Sequence, residues 1–316
     1  MKVDSNSDST ARCFLGLDVG GTQTRWALAT STGEIIAEGV ADGFSGARLV
    51  SVDESEIALT RLNAIADAVH RSRKNRRLSG LHAGVTGIGA DAPRLASIMV
   101  QAFGLAEDQV VVTSDAELFF RAVLAPGEGY LVYAGTGSIA AFVDEAGVLH
   151  RAGGRGVMLD DAGGGYWIAR EALRRIWRRE DEQPGAWRES PMACALFAIV
   201  GGDSSIFSVR FLMEKERGEI GMLAVVVAHH AHEDALAAAI LSDAGLELAR
   251  LANAMTRRYG ERRIVVAGRA SQLHPLIESA MRRANSAAAE IEFQQVQAHI
   301  AAAKIAAKCV VRACVG

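Results

Sequence analysis

The chain has no long apolar run. Its longest uncharged stretch, Gly129 to Val143, falls short of the ~18 residues a membrane span needs and is broken by Gly-Thr-Gly. It also has no excess of either charge: Lys+Arg 34 against Asp+Glu 37 leaves a net charge of −3. That balance excludes a dedicated nucleic-acid binder and a polybasic membrane-surface protein. Cysteine is scarce. Cys13, Cys194, Cys309 and Cys314 form no CxxC pair and no framework spacing, which argues against disulfide scaffolding and against a metal or cluster site within one chain. The first residues, Met1 to Ala11, have no apolar segment that could act as a secretory signal and read as a disordered tail. A soluble protein of the reducing cytoplasm is the expectation. What is present is a core: 50% of the 316 residues are hydrophobic and 22% charged, a length and composition that suit two globular domains.

Two stretches repeat each other. Cys13 to Thr30 holds two short apolar strands about a turn at Gly20-Gly21-Thr22, and Ser31-Thr-Gly-Glu34 leads to a third strand at Ile35–Gly39. Gly129 to Val143 again gives two strands about Gly135-Thr136-Gly137-Ser138, and Asp144–Gly147 leads to a third at Val148–Ala152. Three strands, two turns and a threonine in the same order indicate a duplicated β-β-β unit opening each domain. After the first copy come a helix with Ala58, Leu62, Ile65, Ala66 and Val69 on one face, a strand at Gly80–Val85, a helix start at Asp91-Ala-Pro93 and a strand at Gln109–Thr113. After the second come helices at Gly164–Trp177, Asp234–Tyr259, Pro275–Arg283 and His299–Ala307, and a strand at Arg263–Ala267. Asp181–Pro191 reads as a surface loop. The alternation is that of an α/β protein.

Glycine turns between strands let backbone N–H groups approach an anion without Cβ interference. A hairpin turn explains either motif alone; the duplication favours a pair of phosphate-binding turns. Neither fits the Walker loop or the dinucleotide G-x-G-x-x-G spacing. Asp18 precedes the first turn by two residues, where a carboxylate can hold hydrated Mg²⁺. Asp115 follows the β-branched run Val110 to Ser114, so it projects from a strand's carboxyl end, where α/β sheets place ligands. It can act as a general base or cap the next helix, and the two readings are compatible. Arg151 to Gly165 carries six glycines with Asp160 and Asp161, a composition for wrapping a polar ligand. His229, His230 and His232 lack carboxylate partners at ligand spacing and read as a solvated helix end. Arg71 to Arg77 reads as solvated surface.

Leu17-Asp-Val-Gly-Gly-Thr22, Thr113-Ser-Asp115, Ala134-Gly-Thr-Gly-Ser138 and Gly153-Gly-Arg-Gly156 with Asp161 and Gly163–Ile168 together resemble the acetate/sugar kinase, Hsp70 and actin superfamily. More narrowly, they resemble its N-acetylglucosamine kinase and BadF-type ATPase group. The resemblance implies two ribonuclease-H-like (actin-like) domains with a duplicated β-β-β-α-β-α-β core and an interdomain cleft. The domains would span 12–122 and 123–297, with a C-terminal helix at about 298–308 packing back on the first. It further implies ATP and Mg²⁺ as cofactors. Asp18, Gly20, Gly21 and Thr22 would form one phosphate loop, with Asp18 holding the metal through water. Gly135, Thr136, Gly137 and Ser138 would form the other, and Ala267 and Gly268 would meet the adenosine. Asp115 would be the base for a sugar 6-hydroxyl, with Gly154, Arg155, Gly156 and Asp161 lining the sugar site. Three features depart from the group: Arg155 replaces an aromatic, Ala162 replaces a carboxylate, and Gly43–Ala47 carries no Asn. The implied activity is ATP-dependent phosphorylation of an amino sugar, with no nucleic-acid or membrane partner and a homodimer left open. A catalytically weak nucleotide or sugar sensor, or a BadF-type ATPase, are the alternatives.

Overall fold

A computed structural model describes residues 11–46, 52–285 and 290–313. The expected tail at 1–11 lies almost wholly outside the described residues. The chain divides into two compact units, residues 1–122 with 297–316, and residues 123–296.

In the first unit, β1 (Arg12–Val19), β2 (Gln23–Thr30) and β3 (Ile35–Asp42) form an antiparallel meander. Helix α1 (Val52–Ser72) crosses to β4 (Arg77–Val85), and α2 (Ala92–Phe103) crosses to β5 (Val110–Ser114), which leads directly into α3 (Asp115–Val123). Strands β4 and β5 run parallel to β1, giving the order β3-β2-β1-β4-β5.

Period-two alternation sends Leu15, Leu17 and Val19 of β1 to one face, where they pack with Leu62 and Ile65 of α1 and with Leu95 and Met99 of α2. The opposite face carries Gly16, Ala27 and Ala29 beside Phe14 and receives α10 (Ala298–Ala313). Phe14 packs there with Ala306 and Ala307, and Ala27 and Ala29 pack with Ala303. Gly16 sits directly beneath α10, and a Cβ on it would strike the backbone of His299 and Ala303. An alanine-rich helix can lie this close only where the strand offers no side chain.

The second unit repeats the topology. Strands β6 (Gly129–Ala134), β7 (Ser138–Val143) and β8 (Leu149–Gly153) form the meander, and β9 (Arg263–Ala267) and β10 (Ile291–Phe293) add parallel strands, in the order β10-β9-β6-β7-β8. Counted from each unit's own first strand, both sheets read 3-2-1-4-5. The fold is two ribonuclease-H-like sheets, as the family resemblance implies.

Between β8 and β9 lie α4 (Gly165–Glu182), α5 (Pro191–Val200), α6 (Ser205–Glu214), α7 (Arg217–His230) and α8 (Ala235–Tyr259), and α9 (Pro275–Ala284) follows β9. Here the sequence reading needs correction. Asp181–Pro191 is not a plain surface loop. Helix α4 runs on through Glu182, Ala186 is buried in a 3-10 turn, and the Glu180 carboxylate accepts the N–H groups of Gly185 and Trp187 at 2.8 and 2.7 Å. The Trp187 ring packs edge-on against Phe197 of α5, centroids 5.3 Å apart. Helices α5, α6 and α7 also escape a periodicity reading. Helix α7 packs against α4, α5 and α8, so its apolar residues form no single stripe.

Candidate active site

In the first unit, β1 and β2 join through Gly20-Gly21-Thr22. The turn closes with the Gly20 N–H donating to the Gln23 carbonyl at 3.0 Å. The loop after β3 leans on it: Gly43 N–H donates to the Thr22 carbonyl at 2.9 Å, and a Cβ on Gly43 would strike Gly20 O. Gly21 is open, with nothing within 4 Å of where a Cβ would stand. Thr22 is exposed beside it.

Sheet register gathers the carboxylates. Asp18, next to the last residue of β1, lies opposite Arg25 of β2 on one side and Gly84 of β4 on the other. Gly84 lacks a side chain where Leu118 of α3 packs. The next strand over, β5, delivers Asp115. Thr86 follows β4 directly, donates its N–H to the Val19 carbonyl at 2.9 Å and donates its hydroxyl to the Asp115 carboxylate. Asp115 Oδ1 also accepts the Ala116 N–H at 2.8 Å. The helix cap is shared out to its neighbour, since Ser114 Oγ accepts the Glu117 N–H at 3.2 Å.

Both carboxylates are poorly solvated. Burial pushes Asp18 up to about 6, the Asp115 charge adds to the rise, and Arg25 opposes it. Asp115 is also raised by burial, against the hydrogen bonds from Thr86 and Ala116. His82, on β4, is pushed down to about 4 by burial and by Arg121, so at pH 7 it is neutral; its Nε2 lies 3.1 Å from Thr113 Oγ1 on β5.

In the second unit, the turn at Gly135-Thr136-Gly137 is clamped to the start of α4. Gly165 N–H donates to the Gly135 carbonyl at 2.8 Å and Tyr166 N–H to the Thr136 carbonyl at 3.0 Å. Gly164 has no room for a Cβ, which would stand 2.6 Å from the Gly137 carbonyl carbon. Gly221 of α7 lies beside the turn at ordinary contact distance, with the Thr136 methyl 3.7 Å from where its Cβ would be. Thr136 itself is exposed. Ser138, expected to donate to phosphate, is buried and donates its hydroxyl to the Ala162 carbonyl at 2.6 Å. That proton is therefore committed within the protein.

Asp161 is buried with a positive φ of 56°, a conformation that a non-glycine residue adopts at a cost. Its Oδ1 accepts the Gly156 N–H at 3.1 Å and the Arg155 N–H joins it. Its Oδ2 occupies the space a Gly137 Cβ would need. One carboxylate thus pins the Gly154–Gly156 loop onto the glycine turn. Burial raises its pKa, and Arg217 at the start of α7 pulls against that. Asp160 pairs with Arg250 at 3.2 Å, and the Arg155 side chain is exposed. Ala267 is buried, and Gly268 has φ 98° with no room for a Cβ against the backbone of Ala134.

Each unit therefore collects its own set: Asp18, Gly20, Gly21, Thr22 and Asp115 in the first, and Gly135–Ser138, Gly154–Gly156, Asp161 and Gly268 in the second. Arg25, Thr86, Arg217 and Gly221 were not singled out in the sequence. Their roles come from strand register and helix packing; only Thr86-Gly87, directly after a strand, carries a local signal. Among the described residues no group of three His, Cys, Asp or Glu could hold a metal on its own, and no single helix is long and apolar enough to cross a membrane. Cys13 and Cys194 are free thiols; Cys314 lies outside the described residues.

Comparison with known proteins agrees with the two-sheet fold. An N-acetylmuramic acid/N-acetylglucosamine kinase of Clostridium acetobutylicum is 27% identical over 173 residues, 54% of this chain, and the match spans only about half (55%) of that relative's length. Among solved structures, a Chromobacterium violaceum protein assigned as an N-acetylglucosamine kinase superposes with a TM-score of 0.70 at 21% identity, covering 94% of this chain and 99% of that one. A Porphyromonas gingivalis protein with the same assignment gives 0.73 at 16% identity, covering 94% and 97%. At those identities the two structures establish the fold alone. The family comparison reaches further, because the BadF/BadG/BcrA/BcrD ATPase family profile matches residues 15–306, and the chain belongs to that family.

Proposed function

We propose that the protein transfers the γ-phosphoryl group of ATP to a hydroxyl, the 6-hydroxyl of an amino sugar. The observation that carries this reading is the carboxylate pair. Asp115 is desolvated at the end of β5 and fixed by Thr86 and the Ala116 N–H, and Asp18 stands at the end of β1 with its pKa near 6.

A buried carboxylate of raised pKa is a better proton acceptor than a solvated one. Asp115 would take the hydroxyl proton as the oxygen attacks phosphorus, and its two fixed hydrogen bonds hold the remaining lone pairs in place. Asp18 fits a different task. It is charged at neutral pH against the cost of burial, and Arg25 only partly offsets that cost, so a hydrated divalent cation would relieve it. Mg²⁺ there would supply charge neutralisation for the phosphates. The N–H of exposed Gly21 and the hydroxyls of exposed Thr22 and Thr136 would serve as donors for phosphate oxygens.

Arg155 supports a finer reading of the acceptor. An exposed guanidinium in the glycine loop offers donors and a permanent charge. It favours a sugar bearing a carboxylate over one bearing an ammonium group. The name of the Clostridium relative includes one acidic amino sugar.

The test is ADP release with glucosamine, N-acetylglucosamine, glucose and N-acetylmuramic acid, with the phosphorylated carbon identified by phosphorus NMR. Sugar-dependent release giving a 6-phosphate is expected. Arg155→Trp should shift kcat/KM between acidic and neutral sugars; an unchanged ratio in a folded variant refutes the role of Arg155. ATP hydrolysis indifferent to every sugar favours instead an ATPase that couples hydrolysis to another protein, which the family assignment also accommodates.

A further inference from the structure

The loop that follows β3 is tied to both halves of the first unit's site. At its start, Gly43 N–H donates to the Thr22 carbonyl of the glycine turn at 2.9 Å. At its end, Gly46 N–H donates to the Thr86 carbonyl, again at 2.9 Å. Both glycines sit too close for a side chain: a Cβ on Gly43 would strike Gly20 O, and one on Gly46 would stand 2.8 Å from Ile88 Cα. Between them, Phe44 is buried in the core cluster that includes Leu62 and Ile65 of α1. Thr86 is gripped from two sides, by Gly46 and by the Val19 carbonyl that accepts its N–H. Its hydroxyl in turn donates to Asp115. Four residues thus join the turn proposed for phosphate to the partner of the proposed base.

Among the described residues, one side chain from outside the loop bonds to it. Arg61 of α1 donates its Nη1–H to the Gly43 carbonyl. Gly43 is buried and lies one residue beyond the last pair of the β2–β3 ladder, Gln23 with Asp42. Its carbonyl has no strand partner there, and a buried carbonyl left unpaired is costly. Arg61 stands beside the buried stripe of Ala58, Leu62 and Ile65, so its stem follows the helix and its head reaches the loop. It is half-buried, and among the described residues it forms no ion pair. A guanidinium placed there without a counter-charge is committed to that one acceptor, through a charge-assisted hydrogen bond.

We infer that Arg61 is a positioning residue for phosphoryl transfer: its hold on the Gly43 carbonyl fixes the 43–46 loop, and the loop fixes Thr22 at one end and Thr86 at the other. The inference rests on the function proposed above. In this role Arg61 makes no contact of its own with nucleotide or acceptor. Each end of the loop also has a separate tie, Gly20 N–H to the Gln23 carbonyl and Thr86 N–H to the Val19 carbonyl. Losing Arg61 therefore loosens the site without unfolding it. The transfer step suffers most, because a displacement of about 1 Å in a positioned group can cost roughly 100-fold in rate.

The test combines amide hydrogen exchange with steady-state kinetics on the full chain, using Arg61→Met and Arg61→Lys. Methionine keeps an apolar stem and removes every donor; lysine keeps a charged donor. In Arg61→Met, the Gly43 and Gly46 N–H groups should exchange about tenfold faster or more, with β4 and β5 unchanged. Its kcat for sugar-dependent ADP release should fall roughly 10–100-fold, with KM for ATP and sugar little changed. Arg61→Lys should move exchange and kcat back toward wild type together. Unchanged exchange at Gly43 and Gly46 overturns the inference. So does faster exchange with wild-type kcat, a raised KM at unchanged kcat, or recovery of only one quantity in Arg61→Lys. A general rise in exchange across β1, β4 and β5 would show that Arg61 supports the whole unit, and overturns it as well. A wild type whose ADP release ignores every sugar refutes the proposed function instead; kcat is then compared on ATP hydrolysis, and the exchange criterion stands unaltered.

Discussion

At the scale of single residues, Asp18 is costly to the folded chain. Its pKa stands near 6 in the fold against about 3.9 for an exposed aspartate. A carboxyl whose folded pKa is raised favours folding fully below pH ~4, and that contribution is lost as pH rises through about 6. The two values differ by roughly two units, which at ~1.4 kcal/mol per unit bounds the cost at neutral pH at about 3 kcal/mol. The Asp115 charge contributes to that rise after burial itself. Asp18→Asn should therefore raise Tm at pH 7 to 8, leave it nearly unchanged at pH 4, and flatten the decline between. Thermal melts at several pH values check this; a variant less stable than wild type at pH 8 would contradict the assigned burial cost. Thr136 makes a second residue-scale prediction. Its hydroxyl is exposed beside a turn whose carbonyls are already spent on α4. Thr136→Val should cut nucleotide affinity about tenfold or more, the value of a hydrogen bond to a charged group, and leave sugar affinity in place. Calorimetry showing the reverse would move the nucleotide elsewhere.

At the scale of elements, close approach decides more than polarity does. Helix α10 lies on β1 because Gly16, Ala27 and Ala29 leave the sheet's face flat. Gly16→Ala would push a methyl into the backbone of His299 and Ala303, atoms that cannot rotate away. A loss of roughly 1–3 kcal/mol is expected, read as a lower urea midpoint for the first unit with hydrogen exchange in β6 and β9 unchanged. An unchanged midpoint would mean that α10 can lift off at little cost. The elements also mark what the sequence conveys. Strand–turn–strand pairs with glycine at the turn are local signals, so both meanders and their duplication were legible. Helices α5 to α7 were not, because α7 is enclosed by neighbours on several sides and shows no clean stripe. Trp187 misled for a similar reason: Pro184-Gly185 signals a turn, while the Trp187 ring packs on Phe197 of α5 and the Glu180 carboxylate holds the Gly185 N–H.

At the scale of the whole molecule, two sheets of identical connectivity each present a glycine turn between their first two strands, and each turn is braced differently. In the first unit the brace is the Gly43 loop; in the second it is the start of α4 together with Asp161. The sequence points to Asp18 and Asp115 by their place at strand ends. It does not show Thr86 or Arg25, whose relation to those carboxylates depends on parallel and antiparallel register, nor the Ser138 hydroxyl bond to Ala162. The account as a whole rests on Asp115 accepting a proton from a sugar hydroxyl. The most direct test compares sugar-dependent ADP release by wild type and Asp115→Asn, with ATP affinity measured on both. Asp115→Asn should bind ATP as wild type does and lose roughly 10²–10⁴-fold in sugar-dependent turnover. Turnover within a few-fold of wild type, from a folded and ATP-binding Asp115→Asn variant, would contradict it.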